Sequence, residues 1–215
     1  MKKKIKAVLF DMDGVLIDAK EWHYEALNQA LNVFGTSISR YDHLTTFDGL
    51  PTRNKLKILS ETENFPTQLH KFVNTLKQKY TMQHVHNKCS PNFIHEYALS
   101  RLKHEGYKIA VCSNSIRNSI ITMMELSGLM PYLDTIWSAE DVSEAKPNPA
   151  IYIKAIEHFQ LTPEEVVIVE DNENGIKAAR ASGGHCLAVR DVSEVNFENI
   201  TQFIKKTENI GEKCQ

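Results

Sequence analysis

Three short apolar runs, each ending in polar residues, constrain the fold of this chain more than any other feature. Ile5 to Phe10, Lys108 to Cys112 and Val166 to Val169 are rich in β-branched side chains and too short to be buried helices. Thr135-Ile136-Trp137 and His185 to Val189 are shorter candidates of the same kind. Between them lie segments of helical period: Pro91 to Glu105, Ser115 to Leu126, Pro149 to Phe159 and Asn174 to Ser182. Strands that alternate with helices of this length form right-handed βαβ units with parallel strands. The expected class is α/β, a parallel sheet flanked by helices. Ligands of such sheets bind at the carboxyl ends of the strands, so the residues that follow each strand are the functional candidates.

Residues 19 to 88 differ. They carry helix-period stretches (Lys20 to Phe34, Thr52 to Ser60, Pro66 to His86) and no strand pattern. This predicts an all-helical insert after the first strand. The expected division is a core of residues 1–18 and 89–215 with an insert of residues 19–88. The stretch from Asn196 to Gln215 reads as a last helix and a frayed end.

The composition excludes several classes. Lys and Arg number 25 against 27 Asp and Glu, so the basic footprint of a nucleic-acid binder is missing. No apolar run approaches the ~20 residues of a membrane span. Lys2, Lys3 and Lys4 precede a short apolar stretch that runs into Asp11 and Asp13, which a signal peptide would not tolerate. Cys89, Cys112, Cys186 and Cys214 form no C-x-x-C pair, as expected in a reducing cytosol. A cytoplasmic protein with no nucleic-acid or membrane partner is expected, a monomer or at most a dimer.

Acidic residues collect where strands end. Asp11-Met12-Asp13-Gly14 follows the first strand, with two carboxylates spaced i, i+2 on extended chain and hence on one side. Like charges so close raise each other's pKa unless a cation intervenes. Glu170-Asp171-Asn172 follows the Val166 strand. Each cluster alone could be a helix cap or an Asx-turn. Two converging on one sheet edge make a hard-oxygen site of the kind Mg2+ takes. Ser113-Asn114-Ser115, after the strand ending at Cys112, offers a hydroxyl and helix N-terminal amides to an anion, although helix capping would also explain the serines. Lys146, in a loop stiffened by Pro147 and Pro149, is a point charge suited to a phosphate and a carboxylate. Together these suit in-line phosphoryl transfer to an aspartate.

In this order the four pieces resemble the haloacid dehalogenase superfamily, in the branch with a small helical cap. The matching motifs are Asp11-Met12-Asp13-Gly14-Val15-Leu16, Cys112-Ser113-Asn114-Ser115, Lys146-Pro147-Asn148-Pro149 and Glu170-Asp171-Asn172-Glu173-Asn174-Gly175-Ile176. The resemblance implies a Rossmann-like core in which Asp11 is the nucleophile and forms an aspartyl-phosphate. Asp13 would be the general acid/base and offer its backbone carbonyl to Mg2+. Asp171 would ligate the metal beside Asp11, with Glu170 a ligand or the partner of one. Ser113 and Asn114 would hold the phosphoryl group, and Lys146 would bridge it and Asp11. The insert becomes a substrate-selecting cap, through the loop Phe47-Asp48-Gly49-Leu50-Pro51-Thr52-Arg53 and the hinge histidine His23. Gly49, Thr52 and Arg53 would face the substrate.

The expected activity is therefore a Mg2+-dependent phosphatase acting on a small phosphorylated metabolite, such as a sugar phosphate. The alternatives are a sugar phosphomutase of the β-phosphoglucomutase type and a non-catalytic relative that binds a partner. Mutases of this family place an arginine three residues after the cap-loop glycine, where this chain has Thr52 followed by Arg53. They also place a lysine four residues before a cap-helix tyrosine. If Tyr80 is that tyrosine, the position is Leu76, with Lys77 adjacent. Both departures favour the phosphatase.

Overall fold

The computed structural model describes residues 4–47 and 49–210. Asp48 of the expected cap loop, and residues 211–215 of the expected frayed end, lie outside them. Five strands form one parallel sheet: β1 (Ala7–Phe10), β2 (Lys108–Cys112), β3 (Thr135–Trp137), β4 (Val166–Glu170) and β5 (His185–Ala188), in the order β3-β2-β1-β4-β5. Every residue of β1 and β4 is buried, because helices cover both faces of a parallel sheet. The β-branched runs are these strands.

The chain divides into two compact units, residues 1–18 with 90–215, and residues 19–89. The second unit is helical: α1 (Lys20–Asn32), α2 (Arg40–Asp42), α3 (Thr52–Glu63) and α4 (His70–Lys88). Its core joins Leu27, Ala30 and Leu31 of α1 to Leu56 and Leu59 of α3, Val73 of α4, and Phe47 and Phe65. The sequence reads Pro66 to His86 as one helix. Instead a 3-10 turn at Thr67–Leu69 precedes α4. A π-helical turn, His43–Phe47, follows α2 where no periodicity signalled structure.

The first unit carries α5 (Phe93–His104), α6 (Arg117–Leu126), α7 (Ala150–His158), α8 (Glu173–Ala181) and α9 (Phe197–Ile210). On one face of the sheet, Ala7, Leu9, Ala110, Val166 and Ile168 pack against Ile151, Tyr152, Ala155 and Ile156 of α7 and Ala178 and Ala179 of α8. α5 packs against β2 and α9. No helix among the described residues is long and apolar enough to cross a membrane.

Asp134 ties the entrance of β3 to its neighbours. Its carboxylate accepts from the Ile109 N–H of β2 at 2.8 Å and meets Lys103 Nζ of α5 at 2.8 Å. Partial burial opposes its charge, but Lys103 and the Ile109 amide outweigh that and hold its pKa below the ordinary 3.8. A carboxylate with a depressed folded-state pKa stabilises the fold above its ordinary pKa and loses that contribution as pH falls through the folded value. Asp134→Asn should therefore cost about 1 kcal/mol at about pH 7. In urea denaturation the gap to wild type should narrow below 3.8. An equal gap at about pH 7 and about pH 3 would show that the charge of Asp134 is not what stabilises.

Candidate active site

Sheet register sets the site. Phe10 pairs with Val111 of β2 on one side and with Val169 of β4 on the other. The residues that follow, Asp11, Cys112 and Glu170, therefore reach the carboxyl edge at one level. Strand order reverses direction at β1, which opens a crevice there. Lys146, from the loop between β3 and α7, places its ammonium against all three. Nζ donates to Asp11 Oδ1 at 2.6 Å, to the Cys112 carbonyl at 2.7 Å and to Glu170 Oε1 at 2.7 Å. An ammonium has three hydrogens, and each has an acceptor. Lys146 is 4% exposed, so these bonds are screened little by water.

The lysine is held from both ends. Its backbone N–H donates to Asn114 Oδ1 at 3.0 Å, and Asn114 Nδ2 donates to its carbonyl at 3.3 Å. The Asn114 side chain is thus engaged with the lysine loop. Ser113 is buried, and its Oγ accepts from the Ser115 N–H at 3.1 Å. Ser115 Oγ donates to Asp13 Oδ2 at 2.9 Å. Neither serine caps α6, whose N-cap is Ile116. After Asp11 the chain turns tightly, with the Met12 carbonyl accepting from the amides of Leu16 and Ile17 at 2.9 Å. Gly14 makes this turn at φ 89°, a conformation in which a side chain is strained.

Glu170 is 1% exposed and lies in a slot. Its Oε1 accepts from Lys146 and also from the Tyr152 hydroxyl of α7. α8 crosses beside it at Gly175, where an added Cβ would sit 2.0–2.1 Å from the carboxylate atoms. Only glycine leaves room. Asn172 caps α8 by accepting from the Asn174 N–H, so Asp171 is not the cap.

One ammonium serves two carboxylates. Burial is the largest influence on Asp11 and pushes its pKa well up; Lys146 draws it down, and Glu170, Asp171 and Asp13 push it up again. Burial alone would lower Lys146, but Asp11 and Glu170 more than offset it and hold the ammonium charged. The surplus is negative. Asp11, Glu170 and Asp171 each offer a carboxylate oxygen, all within 4.8 Å of one another. A few carboxylates with positions left for water and phosphate fit Mg2+. The Asp13 side chain is not among these three.

The remaining expected residues belong to the helical unit. His23 lies on α1, and its Nδ1 is 3.0 Å from Lys77 Nζ. Gly49 has φ 68°, Thr52 opens α3 half-buried, and Arg53 is exposed. Leu76, four residues before Tyr80, and its neighbour Lys77 lie on different rows of α4. Val73, Lys77, Thr81 and Val85 form the buried i, i+4 row of α4, whereas Leu76 and Tyr80 pack on the apolar cluster one turn apart.

Sequence reasoning passed over Tyr152, and it quoted Gly175 and Ser115 within motifs without giving Gly175 a role or pairing Ser115 with Asp13. Tyr152 shares an apolar helix face with Ile151, Ala155 and Ile156 and reads as core. Its only signal is a phenol hydroxyl on a face otherwise aliphatic.

A family model described as haloacid dehalogenase-like hydrolase matches residues 8–189. A phosphorylated carbohydrates phosphatase of Thermotoga maritima is 28% identical over 191 residues, covering 83% of this chain and 82% of its own. A phosphoglycolate phosphatase of Aquifex aeolicus is 29% identical over 181 residues, covering 83% and 82%. The crystal structure of β-phosphoglucomutase from Clostridium difficile matches with a TM-score of 0.80 at 22% identity, covering 94% of this chain and 98% of that one. That last likeness concerns the fold alone.

The slot around Glu170 makes a clear prediction. On helix propensity alone, Gly175→Ala would stabilise α8 by up to ~1 kcal/mol. Because the new Cβ meets a buried carboxylate, the variant should instead lose about 1–3 kcal/mol in urea denaturation. A stabilised variant would show that Glu170 has space to move.

Proposed function

Because the chain belongs to the haloacid dehalogenase-like hydrolases, we propose that it is a phosphatase of a small phosphorylated metabolite, dependent on Mg2+ and working through a phosphorylated Asp11. The observation that carries this reading is the Lys146 ammonium, bonded at once to Asp11 and Glu170 at the edge of the sheet. The relatives named as phosphatases, one of phosphorylated carbohydrates and one of phosphoglycolate, support the substrate class.

In the proposed reaction Asp11 attacks the phosphorus in line and the alcohol leaves. A proton reaches the leaving oxygen from Asp13, whose carboxylate is oriented by Ser115. Asp13 then takes a proton from the water that displaces phosphate from Asp11. Lys146 neutralises charge on the transferring group while holding Asp11 in line. Asp11, Asp171 and Glu170, with the Asp13 carbonyl, would hold Mg2+, which when bound supplies charge neutralisation at the phosphoryl oxygens. Ser113 contributes to the phosphoryl cradle. His23, Gly49, Thr52 and Arg53 are proposed to choose the substrate.

The buried Lys77 beside His23 favours a second reading, a sugar phosphomutase, which must grip both phosphates of a bisphosphate. Thr52 in place of the mutase arginine weighs against it. A non-catalytic binding role would not need the Asp11–Lys146–Glu170 network.

Phosphate release from a panel of phosphorylated metabolites with Mg2+ separates these readings. Wild type should release phosphate selectively, and Asp11→Asn should lose at least about a hundredfold in rate while remaining folded. Isomerised hexose phosphate with little free phosphate would instead make the protein a mutase. Equal turnover by Asp11→Asn would remove Asp11 as nucleophile.

A further inference from the structure

We propose that Tyr152 is a positioning residue for phosphoryl transfer, its hydroxyl holding Glu170 so that Lys146 stays directed at Asp11. The inference rests on the phosphatase reading and adds to it a residue outside the four motifs. Tyr152 stands among the largest fully buried side chains of the protein. Packing alone would be served by phenylalanine, and burying a phenol hydroxyl is costly unless it finds a partner. Here the partner is Glu170 Oε1, the same oxygen that accepts from Lys146 at 2.7 Å. The ring meets the other half of the ion pair, with Lys146 Nζ 4.8 Å from its centroid. One side chain thus touches both the carboxylate and the ammonium while sitting behind them, in the cluster formed by β1, β2, β4, α7 and α8.

The geometry shows what the hydroxyl does. Glu170 is bounded on one side by Gly175, where even a methyl group does not fit, and its Oε2 is 3.3 Å from the Asp171 N–H. Lys146 has two carboxylates to choose between, Asp11 at 2.6 Å and Glu170 at 2.7 Å. A second donor on Glu170 Oε1 shares the charge of that carboxylate, so Glu170 pulls less strongly on the ammonium. It also fixes the carboxylate against rotation in its slot. Without the hydroxyl, Glu170 draws Lys146 away from Asp11, and the lysine meets the transferring phosphoryl group out of place. Misplacing such a charge weakens interactions made in the transition state more than those made with bound substrate, so the loss falls on kcat rather than KM.

The test is Tyr152→Phe, which keeps the ring, assayed on p-nitrophenyl phosphate with Mg2+ in wild-type and Glu170→Gln backgrounds. The expected result is a fall in kcat of about tenfold with KM within about twofold of wild type. In the Glu170→Gln background the same change should alter kcat by less than about twofold, because the group through which the hydroxyl acts has been altered. A structural contribution of the hydroxyl would persist in both backgrounds. Unchanged kcat in Tyr152→Phe, or an equal loss in both backgrounds, overturns the proposal while leaving the phosphatase reading intact. A wild-type protein that releases no phosphate from any substrate overturns the phosphatase reading, and this proposal falls with it.

Discussion

The three hydrogen bonds of the Lys146 ammonium are the interaction on which the site depends. They join residues from three adjacent strands, Asp11 after β1, Cys112 of β2 and Glu170 of β4, at one level of the sheet. A lysine buried this far would lose its charge if it stood alone; the two carboxylates keep it an ammonium. The carboxylates in turn would be costly to bury without it. Neither side of this network could exist in the interior by itself. The sheet matters because parallel register holds the acceptors at fixed spacing, and the Asn114 clamp because it brings the loop of Lys146 to meet them.

This network is deliberately short of positive charge. Asp171 and Asp13 add their influence to that of Glu170, and Asp11 is left with a pKa well above the ordinary carboxylate value. A fold built only for stability would replace such a cluster with apolar groups, often at no loss. Retaining it makes sense where a divalent cation and a phosphoryl group come and go, because both interact with the surplus carboxylates and with the ammonium. The Glu170 slot then acquires a purpose. With glycine at 175 on one side and the Tyr152 hydroxyl on the other, the carboxylate beside Lys146 has a single place to be.

Much of this was legible from residue order. The β-branched runs mark the strands because a strand buried on both faces admits little else, and acidic residues stand out where such a run stops. The resemblance of four motifs to one superfamily then names Asp11, Asp13, Lys146 and Asp171. Less legible were contacts made across long stretches of chain. Asn114 and Lys146 are 32 residues apart, Tyr152 and Glu170 are 18 apart, and Ser115 and Asp13 are 102 apart. In each case nothing local signals the partner: Asn114 follows a strand end, Tyr152 reads as a core aromatic, and Ser115 reads as a helix cap. Residues 40–47 escaped for another reason, since a short helix followed by a single π-turn is too brief to show a period.

The central claim is that Asp11, held by Lys146, accepts the phosphoryl group. It is tested most directly by quenching the enzyme in acid during steady turnover and weighing the peptide that contains Asp11. The account predicts a fraction of that peptide heavier by one phosphoryl group, labile to hydroxylamine as an acyl phosphate is, and absent in Asp11→Asn. Turnover with the Asp11 peptide unmodified throughout, or with the phosphoryl group on another residue, would contradict it.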